Sequence, residues 1–222
     1  MSASAFPVPE LCARFGRLYT GAVTDVLDQL GHRSQTLPHT ILPLRPGMRT
    51  AGIAYPVLGR PRSGHDHDRA LRAFLRMLGE APRDSVLVCQ SNDDTAAHLG
   101  ELSVIALRAR GCRGAVMDGS TRDVEYILRE DFPVFVRYRT PVDSVPRWEV
   151  VDWNCRIVVG DVVVNPGDFV MADADGIVIV PMALAGEVLA RCEEVVAAED
   201  KVREAVRAGV SPLEAYDRFG KF

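Results

Sequence analysis

The chain has 222 residues, 47% of them hydrophobic and 25% charged, with a formal net charge of −4. That length suits one sizeable domain with a real core, or two small ones, and the acidic balance lacks the basic stripe expected of a nucleic-acid binder. No apolar run approaches the ~18 residues of a membrane span, and Met1-Ser-Ala-Ser-Ala-Phe-Pro7 has neither the basic region nor the apolar core of a secretory signal. The five cysteines are scattered, without a Cys-x-x-Cys pair, so buried reduced roles and a cytoplasmic location are expected.

Leu11, Phe15 and Leu18 predict a helix over Glu10–Leu18. A second runs through Val26, Leu27 and Leu30, capped by Thr20 or Thr24 and followed by Gly31 at C′. Residues 32–48 read as a proline-punctuated connection and Gly52–Leu58 as a strand. Arg60–Asp68 is a polar loop holding His65-Asp66-His67-Asp68. That run looks metal-like, but adjacent loop residues rarely converge on one ion. A solvated loop is the preferred reading, with Asp66 and Asp68 suited to the N-terminus of the next helix.

Arg69–Leu78 is that helix, with Leu71, Phe74, Leu75 and Leu78 at helical spacing and Gly79 and Pro82 at its end. Ser85–Cys89 is a short buried strand. Leu99–Arg110 carries Leu102, Ile105, Ala106 and Ala109 on one helical face and stops at Gly111. A strand over residues 114–118 completes a βαβ unit, with ligands expected at the C-terminal ends of its strands. A short helix (Val124–Leu128) and the strand Pro133–Val136 come next. The pattern from 148 to 181 is β, in Glu149–Val151, Arg156–Val159, Asp161–Val164, Phe169–Met171 and Ile177–Val180. Asn165-Pro-Gly-Asp168 and Asp173-Ala-Asp-Gly176 supply the turns. A long helix from about Ala183 to Ala208, ended by Gly209, and a short one over Pro212–Phe219 close the chain. With no internal repeat or low-complexity linker, a single mixed α/β domain is expected over 1–222.

Two segments carry the chemistry. Gly114-Ala-Val-Met-Asp-Gly-Ser-Thr-Arg-Asp-Val124 runs a buried strand into a turn that presents Arg122 beside Asp123. Twenty residues separate Arg122 from Glu101, in Gly100-Glu101-Leu102-Ser103 at the start of a helix. The free backbone N–H groups of that helix start form a natural carboxylate site, and Arg122 can complete the clamp. Asp123 is a hard oxygen donor suited to Mg²⁺ or Mn²⁺, which keep several waters and take one or two protein carboxylates. A capped helix beside an ordinary loop ion pair explains the same residues equally well. Phosphate-loop and dinucleotide glycine motifs are missing. His98 borders the suspected pocket, where a structural or supporting role is expected. Asp173 and Asp175 with Gly176 read as turn chemistry.

These motifs resemble the family of class II 4-hydroxy-4-methyl-2-oxoglutarate aldolases and the regulator of ribonuclease activity A (RraA). An acidic residue, twenty residues, then Arg-Asp is the aldolase-type pattern, matched by Glu101 and Arg122-Asp123. Thr24-Asp-Val-Leu27, Arg45–Ala54, Gly114–Asp123, Asn165-Pro-Gly-Asp168 and Ala172–Pro181 resemble further family segments in the same order. The resemblance implies a β/β/α sandwich like the swivelling phosphohistidine domain, assembled as a trimer or hexamer with sites between subunits. It implies that the amides of Gly100, Glu101, Leu102 and Ser103 bind substrate, that Arg122 holds its carboxylate or keto oxygen, and that Asp123 binds the metal. Glu101 would then be a water-mediated metal partner. A glutamate of the neighbour's C-terminal helix would approach the site, with Glu199 the candidate and Glu193 or Glu194 the alternatives.

The implied activity is lysis of a 4-hydroxy-2-oxo acid to pyruvate through a metal-stabilised enolate, with oxaloacetate decarboxylation beside it or as the main reaction. The competing expectation is a non-enzymatic regulator that binds the ribonuclease E machinery. Retention of Glu101 favours the enzyme. The polar 60–68 loop does not align with the characterised aldolases, so the far half of the substrate stays open.

Overall fold

The computed structural model describes residues 6–62 and 66–222; His65 of the His-Asp run and the first five residues lie outside the described residues. Twelve-residue β2 (Thr50–Pro61) is the spine. On one side of it lie β3 (Ser85–Gln90), β4 (Gly114–Thr121) and β5 (Val134–Arg139), all parallel, and on the other β9 (Phe169–Ala172), antiparallel to β2, followed by β10 (Ile177–Val180), antiparallel to β9. The eight-stranded sheet runs β1-β5-β4-β3-β2-β9-β10, with β1 (Leu42–Pro43) at one edge and β6 (Trp148–Trp153) paired to the far half of β2. β7 (Ile157–Val159) and β8 (Val162–Val164) form a separate hairpin.

Alternation along the strands divides the buried side chains between two cores. Phe169, Met171, Val178 and Val180 point to one face of β9 and β10, where helices α1 (Val8–Phe15), α2 (Thr20–Gln29) and α6 (Ala185–Arg207) pack. Val170, Ala172, Ile177 and Ile179 point to the other and join the larger core of β2–β5. Period-2 alternation forces this split, because successive strand side chains leave opposite faces. Helices α3 (His67–Glu80), α4 (Glu101–Arg110) and α5 (Val124–Arg129) belong to the larger unit, and α4 is the crossover of the expected βαβ unit. The chain ends in α7 (Pro212–Phe219), packed on α6.

Several local expectations need correction. Strand β2 extends to Pro61, because β6 pairs with the part expected as loop, and a short strand, β1, lies within the expected connection. Helix α2 has no threonine cap: the Asp173 carboxylate accepts the Thr20 N–H at 2.8 Å and the Thr20 hydroxyl at 2.7 Å. Asp173 keeps its turn role as well, accepting the Asp175 N–H at 3.0 Å. Asp66 caps α3, as its charge suggested, through the Arg69 N–H at 3.0 Å. The largest departure is in α4, whose buried residues are Ser103, Val104 and Leu107. Leu102 is 78% and Ile105 40% exposed, so of the expected apolar face only Ala106 packs against the core.

Candidate functional site

The loop from β3 to α4 builds the site, and its buried polar side chains are all hydrogen-bonded. The Asp93 carboxylate accepts the Thr95 hydroxyl (2.8 Å), the N–H groups of Thr95 (3.1 Å) and Ala96 (3.0 Å), and His98 Nε2 (2.9 Å). Burial alone would raise the Asp93 pKa, but these donors hold it below the usual carboxylate range. His98 is 1% exposed, and its Nδ1 accepts the Ser120 N–H at 3.3 Å. That bond assigns the ring proton to Nε2 and makes the imidazole neutral. Burial draws the His98 pKa down against the opposing pull of Asp93. The ring also lies edge-on to Trp148, 4.9 Å between centroids, and the Trp148 indole N–H donates to the Ser91 carbonyl at 2.8 Å.

These anchors bring the loop's last residues against the end of β4. Leu99 and Thr121 form a parallel bridge, in which the Leu99 carbonyl accepts the Arg122 N–H at 3.0 Å and the Thr121 hydroxyl at 2.9 Å. The approach is too close for side chains at two glycines. A Cβ on Gly119 would sit 2.6 Å from His98 Nδ1, and one on Gly100 would sit 2.7 Å from Asp123 Oδ2.

Asp123 is left-handed, φ 59° and ψ 34°, a conformation that aspartate tolerates better than most residues. The turn aims its Oδ2 at the free N–H of Glu101, 3.2 Å away, at the start of α4. The Arg122 Nε lies 3.6 Å from the same oxygen, while Arg122 Nη1 pairs with Asp143 Oδ1 at 3.2 Å. Asp143 escaped the sequence reading. It comes from the loop after β5, held in place by a parallel bridge to Ala97, and no motif marks it. The guanidinium is thus shared between two carboxylates.

Gly100, Leu102, Ser103, Arg122 and Asp123 line one cleft of about 250 Å³, together with Asp143. Glu101 is not among the lining residues; its contribution there is the backbone N–H that Asp123 accepts. Glu199 does not line this cleft in its own chain. It sits on α6, accepts the Tyr19 hydroxyl, and pairs with Lys221 at 3.6 Å and Arg203 at 3.7 Å. Glu193 pairs with Arg14 at 2.6 Å. Among the described residues no group of three or more His, Cys, Asp or Glu side chains converges as a metal cage. A single carboxylate, partly exposed and with one oxygen already oriented by a backbone N–H, is still a donor set that suits a hydrated Mg²⁺ or Mn²⁺. The cysteines are free, and burial pushes the Cys12 thiol up to about 11 and Cys192 to about 12, as inert structural groups should be.

Comparison with known proteins places these features in context. Residues 20–179 match the family described as RraA-like, Aldolase/RraA. Over 208 residues the chain is 26% identical to protein DlpA of Legionella pneumophila, covering 93% of this chain but spanning only 33% of DlpA's length. It is 28% identical to a protein of Halalkalibacterium halodurans named "Putative 4-hydroxy-4-methyl-2-oxoglutarate aldolase", covering 93% of each. A solved chain described as novel cellulases from microbes associated with the gut ecosystem superposes with a TM-score of 0.84 at 35% identity, covering 90% of this chain and 91% of that one. RraAS2 of Streptomyces coelicolor, described as an unusual member of the RNase ES inhibitor RraA family, superposes with a TM-score of 0.81 at 26% identity, covering 90% of this chain and 99% of its own. The mixed sheet with its flanking helices is therefore the fold of RraA-like structures.

Proposed function

The chain belongs to the RraA-like, Aldolase/RraA family, and we propose that it is a divalent-metal-dependent lyase that cleaves a 4-hydroxy-2-oxo acid to pyruvate, with oxaloacetate decarboxylation as a side activity. The observation that carries this reading is the shared guanidinium: Arg122 lies between Asp123 at 3.6 Å and Asp143 at 3.2 Å, beside the start of α4, whose N-cap Gly100 supplies no capping side chain. Asp143 draws the arginine's charge away from Asp123 and leaves the latter available to a hard cation. A bound Mg²⁺ or Mn²⁺ on Asp123 supplies Lewis acidity toward the 2-oxo group.

The chain's own residues do the rest. The N–H groups at Gly100–Ser103 and the positive end of α4 receive the substrate carboxylate. Arg122 donates hydrogen bonds to the C2 oxygen as negative charge develops there. Cleavage breaks the C3–C4 bond. The C4 hydroxyl loses its proton to a water held by the acidic side chains of the cleft; the bonding pair passes into the pyruvate enolate; and C3 takes a proton back as the carbonyl product leaves. Decarboxylation of oxaloacetate forms the same enolate with carbon dioxide as the leaving group. In the assembled protein, a trimer or hexamer in this reading, Glu199 of a neighbouring copy is the candidate to complete the site.

Glycoside hydrolysis, which the name of one similar structure evokes, calls for two carboxyls flanking a bond, one of them kept protonated by apolar surroundings. Here Asp123, Asp143 and Glu149 each sit beside an arginine. A regulator of ribonuclease activity is the second reading, supported by the likeness to RraAS2. Pyruvate release separates the two. Purified protein is expected to release pyruvate from oxaloacetate and from 4-hydroxy-4-methyl-2-oxoglutarate with Mg²⁺ and to stop with EDTA. Arg122→Ala should lose about 10²–10³-fold in rate, the usual consequence of removing an oxyanion donor. Silence with both compounds would return the regulator to first place.

A further inference from the structure

Beyond its charged end, the cleft has a wall that the proposed reaction does not use. Leu71, Phe74 and Leu75 of α3, Leu102 of α4 and Trp148 of β6 line it. Leu71 is 39%, Leu75 54% and Leu102 78% exposed, so this surface is apolar and open. Among the described lining residues Arg122 is the one cation, and it is already engaged at the pyruvyl end. The remaining charged lining residue, Glu149, is held by Arg60 at 2.8 Å and by Arg69 at 3.8 Å. A second carboxylate on the substrate would therefore meet leucines, an indole and a carboxylate. The cleft volume of about 250 Å³ is of the order of a small-molecule site.

Resting on the lyase reading, we infer that the preferred C4 substituent is uncharged and apolar: the enzyme favours 4-hydroxy-2-oxo acids bearing an alkyl or aryl group at C4 over those with a carboxylate there, such as 4-hydroxy-4-methyl-2-oxoglutarate, which it cleaves more slowly, and it releases the matching aldehyde or ketone with pyruvate. The reaction balances as before. The C3–C4 bond breaks, the C4 hydroxyl proton leaves, and C3 regains one, with no oxidant or reductant. Leu71, Leu75 and Leu102 determine this specificity. Leu71 and Leu75 lie on α3, the helix into which the unaligned 60–68 segment leads, and Leu102 lies on α4, so the placement of the two helices sets the distal half.

The test compares kcat/KM for 4-hydroxy-2-oxo acids with C4 methyl, propyl and phenyl groups against the C4-carboxymethyl analogue. Calorimetric binding of saturated 2-oxo acids against 2-oxoglutarate is measured in parallel, with Mg²⁺ present. Each added methylene should raise kcat/KM about two- to fourfold, and the dicarboxylate should trail the propyl compound by roughly tenfold or more. Leu75→Arg, at a half-exposed position that tolerates the change, should reverse the order, while Leu75→Met keeps it. A wild-type preference for the dicarboxylate overturns the inference and leaves the lyase reading standing. So does an unchanged order in Leu75→Arg; if light scattering then shows a changed oligomer, the wall is a contact between copies. Binding that ranks alkyl above carboxylate without turnover of any compound overturns only the lyase reading.

Discussion

A methyl group at position 100 would sit 2.7 Å from Asp123 Oδ2, closer than real side chains approach. Gly100→Ala must therefore push the aspartate off the Glu101 N–H or shift the start of α4. Either change misplaces a proposed metal donor by a fraction of an ångström, so a loss of about 10²-fold in kcat/KM with an unchanged melting profile is expected. Asp143 acts at the same scale. Once it is neutral in Asp143→Asn, Arg122 has only Asp123 to pair with and competes with the cation there. The Mg²⁺ concentration for half-maximal rate should rise about tenfold, as loss of one charge-assisted hydrogen bond predicts; a metal titration of wild type and variant measures it. Neither effect would follow if the Arg122–Asp123 pair only fixed a turn.

At the scale of elements, the site depends on a loop anchored by one buried imidazole. Because burial lowers the His98 pKa from 6.5 in the folded state, the unfolded chain binds the proton more readily there. The stability this contributes is fully present above pH 6.5 and declines as the pH falls below it, toward the lower folded value. The urea midpoint of the wild type should fall between pH 7.5 and 5.5, and His98→Gln should lose that part of the slope. Gly119→Ala tests the same packing by steric means. Its Cβ meets His98 Nδ1 at 2.6 Å and Ser91 Oγ at 2.7 Å, so overpacking should cost about 1–3 kcal/mol in chemical denaturation.

The elements also show what a reader of the sequence can and cannot see. Strands β9 and β10 were legible because every residue is apolar and bounded by Asn165-Pro-Gly-Asp168 and Asp173–Gly176, whose turns Asp168 and Asp173 close by accepting backbone N–H groups. Ends of β2 were not, since pairing with β6 is decided nearly a hundred residues away. Helix α4 misled because Leu102, Ile105 and Ala109 carry a helical period without being core; periodicity reports a face, not what covers it. Arg122, Asp123 and the Gly100–Ser103 turn were legible as types in a pattern. Asp143 was not, because a carboxylate in a loop acquires its partner only through the tertiary bridge at Ala97.

Across the whole molecule, apolar side chains remain uncovered in one chain. Leu213 is 72%, Tyr216 53% and Phe222 70% exposed, all in the C-terminal segment that follows the helix bearing Glu199. Burying them against a neighbouring copy is what the proposed trimer or hexamer would accomplish. Light scattering should return three or six chains, and Leu213→Asp combined with Tyr216→Asp should lower that number. A wild-type monomer would contradict the assembly and remove Glu199 from the site. Among the described residues no helix is long and apolar enough to cross a membrane.

The division of labour between Arg122 and Asp123 is tested most directly by titrating Mg²⁺ into wild type, Asp123→Ala and Arg122→Ala while following pyruvate release from oxaloacetate. Asp123→Ala should lose the saturable metal response together with the rate. Arg122→Ala should keep the metal response, with a half-saturation near or below that of the wild type, while its maximal rate falls about 10²–10³-fold. Wild-type release that is indifferent to Mg²⁺ and EDTA, or an Asp123→Ala protein that still saturates with metal like the wild type, would contradict the account.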